Sequence, residues 1–386
     1  MTFLTEERRM IQEQAREFTL NEVLPVANKL DPEKGDIPMA LRDKMAELGY
    51  FGILIPEQYG GLGLGCSEYC LVTEELSRGW MSVASLIARG NLLIGSQMMS
   101  EEQRGRYLPR MAKGEFLGAF SMSEPNAGSD ISNISCRAKK DGDSYLISGN
   151  KYWCTFADGA DFLIIIARTS DAPPGKRHMG LSMFFVEKKR GELPKGCNGA
   201  PIPKIGYFGW KTWELAFDNF RVTAADMIGE EGHAFYYATS GLETARAHTA
   251  ARAIGLAQGA LDDSVQYAND RKQFGRSISD FQAIRFKIAD MATQIEAARQ
   301  LMYFVCEQID TGQRCDKEAS MVKLFASEMA ERVTSEGIQI HGGAGYTTLH
   351  AVERHWRDAR LTKIFEGTSE IQKRIISDRL LGRGKN

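Results

Sequence analysis

No stretch of the chain approaches the roughly 18 consecutive apolar residues of a membrane-spanning helix, so no integral membrane segment is expected. The opening MTFLTEERRMIQ places acids and arginines where a secretory leader needs a long apolar core. A cytoplasmic location is expected, or the mitochondrial matrix if the source is eukaryotic. A surplus of one charge is also missing, since 48 Lys and Arg stand against 50 Asp and Glu. Nothing therefore marks the whole protein as a binder of nucleic acid or of a membrane surface. Cysteines are few and odd in number, seven at positions 66, 70, 136, 154, 197, 306 and 315, with no CxxC pair and no histidine at ligand spacing. Reduced structural thiols are expected, and no metal site.

The common phosphate and hydrolase signatures are missing too. YGGLGLG at 59–65 is glycine-rich, but Cys66 stands where GxGxxG needs its third glycine and no strand precedes it. It reads as a loop between helices. Without GxxxxGK[ST], HExxH or GxSxG, P-loop hydrolysis, zincin chemistry and α/β-hydrolase chemistry all drop out.

What remains is a change of texture along 386 residues, enough for about two to three domains of ordinary size. From Thr5 to about Arg110 apolar residues recur three or four apart, and LRDKMAELGYFGI reads as an amphipathic helix ending at Gly49. Between about Leu117 and Ile228 the runs are short and alternating. In RAKKDGDSYLISGNKYW, Asp141-Gly142 and Ser148-Gly149-Asn150 read as turns between strands, and FLIIIART and MFFVEKK continue the pattern. After Glu230 the helical period returns. Ile284, Ile288, Met291, Ile295, Ala298, Met302, Val305 and Ile309 form one stripe of a long bundle helix, and HGGAG interrupts the helices further on. An α+β chain is expected: helical 1–118, β 119–229 and a helix bundle 230–386.

Five segments recur in a fixed order: FSMSEPNAGSD (120–130), KYWCT (151–155), RKQFG (271–275), QIHGGAGY (339–346) and IFEGTSEIQ (364–372). Together with IPEQYGGLGLG and RDAR they span the chain, and the set resembles the acyl-CoA dehydrogenase family. The family patterns run (Y/F)xxTEPxxGSD, KxWIT, RxQFG, QIxGGxG and YEGTSxIQ. The resemblance implies a helical domain, a β-barrel-like domain and a four-helix bundle, assembled as a homotetramer that is a dimer of dimers. It implies FAD as cofactor, an acyl-CoA thioester as substrate and an electron-transfer flavoprotein as partner.

It also assigns residues. Phe120, Met122, Ser123, Gly128 and Ser129 would meet the flavin, Trp153 would cover its ring, and Thr155 would approach N5. Small residues and ring-edge donors suit a flat cofactor with polar edges. Arg271 would reach the pyrophosphate of the FAD held mainly by a neighbouring subunit, with Gln273, Phe274 and Gln282 nearby and Gln339, Gly342 and Gly343 on the other side. Thr368 and Glu370 would contact the adenosine. Glu366 is implied as the base that removes the α-proton while hydride leaves the β-carbon, giving a trans-2-enoyl-CoA; Phe365 can desolvate it and Gly367 leaves room for substrate. Ser129, Glu243, Arg246 and Gly367 would contact substrate. Some family members carry the base just before the arginine that here is Arg246, but that position is Ala245.

The chain departs from the family at several places. Ser123 replaces the usual threonine and Cys154 the usual isoleucine, while Phe208, Trp210, Trp213 and Arg252 are unusual residues with no role legible in sequence. Arg89 in SLIARGNLLIG interrupts an apolar helix that in the family runs beside the acyl pocket. A buried guanidinium needs an anion, such as a second carboxylate on a dicarboxylic or substituted succinyl-type CoA ester; the alternative is an arginine that reaches out to solvent or pairs with a protein acid such as Glu74 or Glu75. Rival readings on the same scaffold are an acyl-CoA oxidase, a flavin monooxygenase, which would lack the glutamate, and a non-catalytic subunit that only binds FAD and acyl-CoA.

Overall fold

The structure is a computed structural model that describes residues 3–91 and 98–383. Helix α1 (Glu6–Phe18) is capped by Thr5, whose hydroxyl accepts from Arg8 N at 3.2 Å, and continues through a π-turn into α2 (Leu24–Leu30). Helix α3 (Met39–Glu47) ends as expected, with Gly49 at φ +73° just beyond it. The glycine-rich 59–65 is a loop leading into α4 (Cys66–Gly79), whose residues are almost all buried. Then come α5 (Met81–Leu86), α6 (Ala88–Asn91) and α7 (Glu101–Ala112).

The strands are β1 (Gly118–Ser121), β2 (Arg137–Asp141), β3 (Ser144–Thr155), β4 (Phe162–Arg168), β5 (Leu181–Glu187), β6 (Cys197–Pro201), β7 (Thr212–Thr223) and β8 (Met227–Ile228). They form one sheet in the order β6-β7-β3-β2-β4-β5-β8, with β1 pairing β4 in parallel. FLIIIAR reads as one apolar run because both faces of β4 are covered. Phe162, Ile164 and Ile166 join the core under α7, and Leu163, Ile165 and Ala167 join the core on the opposite face. Asp141-Gly142 turns between β2 and β3, as expected. Ser148-Gly149-Asn150 does not turn: β3 runs straight through it with a bulge. There Gly149, at φ +137°, passes so close to Cys136 that a Cβ would lie 2.8 Å from its Cα.

The helical period resumes in α8 (Ala234–Ser240), α9 (Leu242–Asp270), α10 (Gln282–Asp310), α11 (Asp316–His341), α12 (Val352–Thr362) and α13 (Ser369–Leu380). Short strands β9 (Lys272–Gln273) and β10 (Arg276–Ser277) make a hairpin after α9. The α10 stripe faces inward, with Met291, Ile295, Ala298, Met302 and Val305 buried. One hydrophobic core joins the early helices to the bundle, running from Leu71 and Leu76 to Ile254, Met302 and Met329. Helix α9 is its axis. It lies directly against α4, because a Cβ on Gly255 would sit 2.2 Å from Glu74 O and one on Gly259 2.6 Å from Arg78 O.

Candidate active site

Glu366 sits in the connection between α12 and α13, on backbone that few residues tolerate: its φ is +53°, and Gly367 follows at +91°. Several groups hold this turn. Thr368 caps α13 by accepting from Ile371 N (3.3 Å), and the Gly367 carbonyl accepts from Lys323 Nζ (2.6 Å) and Gln372 Nε2 (3.0 Å). Lys323, on α11, has no exposed surface, and burial lowers its ammonium to about 8, although the nearby Glu366 opposes that shift.

The Glu366 side chain, one third exposed, points at α9. Its Oε1 lies 2.6 Å from Arg252 Nη2, and its Oε2 accepts the Thr249 hydroxyl. Arg252 is 2% exposed. It also donates to Thr249 Oγ1 (2.9 Å) and, through Nη1, to Ser85 Oγ (3.0 Å), leaving Nε buried without a partner among the described residues. The Phe365 ring lies under the Arg252 guanidinium, 4.6 Å away. His248, the residue before Thr249, is kept neutral, its imidazole pushed well below the ordinary value by burial and then by Arg252.

A series of rings connects this corner to the β sheet. Phe365 meets Tyr207 edge-on (6.0 Å), Tyr207 meets Trp210 (5.2 Å), and Trp210 meets Phe156, the residue after Thr155 (5.7 Å). Arg89 lies over Trp210 at 5.0 Å. Pairing of Arg89 with Glu74 or Glu75 is overturned: Glu74 pairs with Arg299 (2.9 Å), and Glu75 pairs with Arg16 (2.9 Å) and Arg78 (3.2 Å). No acid lies within ion-pair distance of Arg89 among the described residues, and its Nε is buried and unpartnered. The rest of SLIARGNLLIG, from Leu92 onward, falls outside the described residues. Of the other unusual residues, Phe208 faces Lys34 and Arg357, and Trp213 donates to Asp158 Oδ1 (2.9 Å).

Two of the segments expected to meet flavin, 120–123 and 151–155, come together at the ends of β1 and β3. Phe120 lies on β1, and Met122 and Ser123 follow it. Lys151 Nζ donates to Met122 O (2.9 Å), and Tyr152 N donates to Ser123 O (2.8 Å). Beneath them Lys151 and Glu124 form a buried pair at 2.8 Å. Burial pushes the Glu124 carboxyl up, but Lys151 and the N–H groups of Ser135 and Cys136 more than reverse this, and it ends below its ordinary value. A second bulge puts Trp153 at φ +63° with 56% of its surface exposed, and the Thr155 hydroxyl meets that of Thr212 at 3.0 Å. Gly128 and Ser129 are exposed, and a Cβ on Gly128 would meet open space. An exposed indole, partly exposed hydroxyls and an open glycine fit a flat ring with polar edges, so FAD fits the donor set present.

The remaining expected cofactor residues lie elsewhere. Arg271, Gln273, Phe274 and Gln282 are exposed at the far end of α9, with Phe274 at φ +54° and 93% exposed. Gln339, Gly342 and Gly343 are exposed at the end of α11, and Glu370 is exposed beside the Glu366 turn. Arg271 stands 19 residues beyond Arg252, roughly 28 Å along the helix. Glu243 and Arg246 do not make the surface ion pair that their spacing allows: Glu243 accepts from Cys315 N (3.1 Å), and buried Arg246 donates to Asp316 O (3.4 Å). Cys66, Cys70 and Cys306 form a fully buried trio. Burial is among the causes that push all three thiols well above their ordinary values, which keeps them protonated.

Sequence reasoning missed Thr249, Ser85 and Lys323, and gave Arg252 no role. The available signal was ARAHTAARAIGLA, where Arg252 interrupts a run of small residues that could only be buried.

Three family profiles cover nearly all of the chain: "Acyl-CoA dehydrogenase, N-terminal domain" over residues 5–115, "middle domain" over 119–220 and "C-terminal domain" over 232–381. The chain is 42% identical to (2S)-methylsuccinyl-CoA dehydrogenase of Cereibacter sphaeroides, covering 98% of this chain and 70% of that one. It is 38% identical to the caffeyl-CoA reductase-Etf complex subunit CarC of Acetobacterium woodii, over 98% and 99%. A solved glutaryl-coenzyme A dehydrogenase in complex with glutaryl-CoA superposes with a TM-score of 0.92 at 34% identity, over 98% and 96%. With matches along its whole length and the fold in common, the chain belongs to the acyl-CoA dehydrogenase family, and it is an FAD-dependent oxidoreductase acting on a CH–CH group.

Proposed function

We propose that the protein dehydrogenates an acyl-CoA thioester between its α- and β-carbons, with Glu366 as the base. The observation that carries this reading is a carboxylate held on a strained turn, partly exposed, across a run of rings from the flavin-fitting edge of the sheet. FAD, when bound, supplies the hydride acceptor. Phe120, Met122, Ser123, Gly128, Ser129, Trp153 and Thr155 would hold its ring. Glu366 would take the α-proton, its backbone N–H would stabilise charge on the thioester oxygen, and Ser129, Gly367, Glu243 and Arg246 would contact substrate, the last two toward the CoA end.

Arg271, Gln273, Phe274, Gln282, Gln339, Gly342 and Gly343 would serve the FAD of a neighbouring subunit, and Thr368 and Glu370 would contact the adenosine side of FAD. The roughly 28 Å along α9 between Arg252 and Arg271, and the exposure of Phe274, favour a homotetramer over a monomer. Three folding units, 1–118, 119–229 and 230–386, follow from the same reading. An electron-transfer flavoprotein is the partner, a reading supported by a relative named with Etf. Seven free, buried thiols suit a reducing compartment such as the cytoplasm.

The unpaired Arg89 points to an acyl group with a second carboxylate, and the methylsuccinyl-CoA and glutaryl-CoA relatives support that choice. Anaerobic mixing with a panel of mono- and dicarboxylic acyl-CoA esters tests the reaction: bleaching of the flavin absorbance is expected, and no bleaching by any ester would remove it. Peroxide formed without an artificial electron acceptor would instead indicate an oxidase.

A further inference from the structure

Around Glu366 the charges do not balance. Two buried or half-buried guanidiniums, Arg252 and Arg89, face this corner, and Glu366 is the one carboxylate that pairs with either among the described residues. Both arginines keep a buried Nε without a partner, the Trp210 N–H and the Tyr69 hydroxyl are also unpartnered, and Arg252 acts electrostatically on Tyr69 and Tyr207. A site lined by spare donors and spare positive charge is built for an anion, not for an alkyl chain.

The chemistry of the base sharpens this. When Glu366 accepts the α-proton it becomes neutral, and Arg252, 2% exposed, loses its counter-ion. A buried guanidinium left alone resists that step. With a plain fatty acyl group nothing replaces the lost charge; with an acyl group that carries its own carboxylate nearby, the pair is exchanged rather than broken.

We infer that Arg252, together with Arg89, receives a substrate carboxylate, which takes the Arg252 guanidinium over from Glu366 as the base is protonated. This rests on the dehydrogenase reading and deepens it by naming the substrate class. The base must approach the α-carbon to roughly 3–3.5 Å, and Arg252 Nη2 is 2.6 Å from the base. The carboxylate therefore belongs on or next to the β-carbon, as in succinyl-type and glutaryl-type esters, and long dicarboxylic chains do not fit. In the step itself the α C–H bond breaks and its proton goes to Glu366. The β-hydrogen leaves with its electron pair as hydride to FAD, and the new double bond lies between the two carbons. Arg252 gains and loses no atom.

The test uses binding as well as turnover. In Glu366→Gln the protein's own anion is gone from Arg252. Calorimetric titration of the FAD-loaded variant should then show a succinyl-type CoA ester binding about tenfold tighter than to the wild type, with butyryl-CoA changed less than about threefold. In the otherwise wild-type enzyme, Arg252→Met should lower kcat/KM for the dicarboxylic ester by more than about a hundredfold and that for butyryl-CoA by at least about tenfold less, the shared part being the loss of an oriented base. Arg252→Lys should recover part of the loss. Equal affinities for the succinyl-type ester in wild type and Glu366→Gln would overturn the inference, even if Arg252→Met fails to fold. Equal losses on both esters in a folded, FAD-loaded Arg252→Met would reduce Arg252 to a structural role. Failure of every ester to bleach the wild-type flavin would instead strike the dehydrogenase reading, and the binding comparison would still report on Arg252.

Discussion

Arg252 and Thr249, three residues apart on α9, engage both oxygens of the Glu366 carboxylate, Arg252 at 2.6 Å and Thr249 through its hydroxyl. One helix face thus fixes the rotamer of a residue that itself sits on strained backbone, and the carboxylate is oriented before any substrate arrives.

Glu366→Gln keeps volume and hydrogen bonding but cannot accept a proton. Turnover of the best ester is expected to fall by several orders of magnitude with FAD retained. A variant keeping more than about a tenth of wild-type kcat, a barrier change of roughly 1.4 kcal/mol or less, would mean that another residue is the base.

Arg89→Met removes the unpaired guanidinium over Trp210. For a dicarboxylic ester kcat/KM should drop more than about tenfold, while a plain acyl-CoA of equal length is unaffected. Equal effects on both would return Arg89 to packing against the indole.

Arg271→Ala, at the exposed end of α9, should lower FAD occupancy of the purified protein without changing its circular dichroism spectrum. Unchanged absorbance per subunit at the flavin maximum would show that this arginine does not hold the cofactor.

Gly367→Ala forces a side chain onto φ +91° and brings its Cβ to 2.6 Å from Gln372 Nε2. A loss of about 1–3 kcal/mol in stability is expected, with kcat falling because Glu366 shifts. A variant with an unchanged thermal midpoint and full activity would show that the turn tolerates the methyl group.

Cys154 gives a pH dependence with a defined sign. Burial pushes its thiol up to about 12 in the folded protein, against about 8.5 when unfolded. The folded state therefore keeps a proton that the unfolded chain releases. The stabilisation is complete below about pH 8.5 and is lost as pH rises toward 12, by up to roughly 1.4 kcal/mol per pH unit. Cys154→Ala should flatten the alkaline limb of the thermal midpoint against pH, and parallel limbs would contradict the assignment.

The α+β class and the order of helices, sheet and bundle were legible because each has its own period, seen in the α10 stripe and the apolar run of β4. A glycine amid polar residues signals a turn and a bulge alike, so Gly149 reads as a turn; what separates them is Cys136 passing behind it, a contact from the residue that leads into β2. The partner of Glu366 was hidden for a similar reason. Residues 252 and 366 are far apart in sequence, and an arginine in an alanine-rich helix shows only that something must neutralise it. Nor could spacing say that Glu243 and Arg246 would bond neighbouring backbone groups at the start of α11 rather than each other.

The two glycines that let α9 lie against α4 have a consequence for how this enzyme can change. Because neither Gly255 nor Gly259 leaves room for a methyl group, the two helices cannot slide past each other without losing their contact. The frame that carries the site is therefore constant, and adaptation to new substrates is confined to swapping side chains on it. An evolving lineage would alter Ser85, Arg89, Thr249 or Arg252 long before it could alter the frame that carries them.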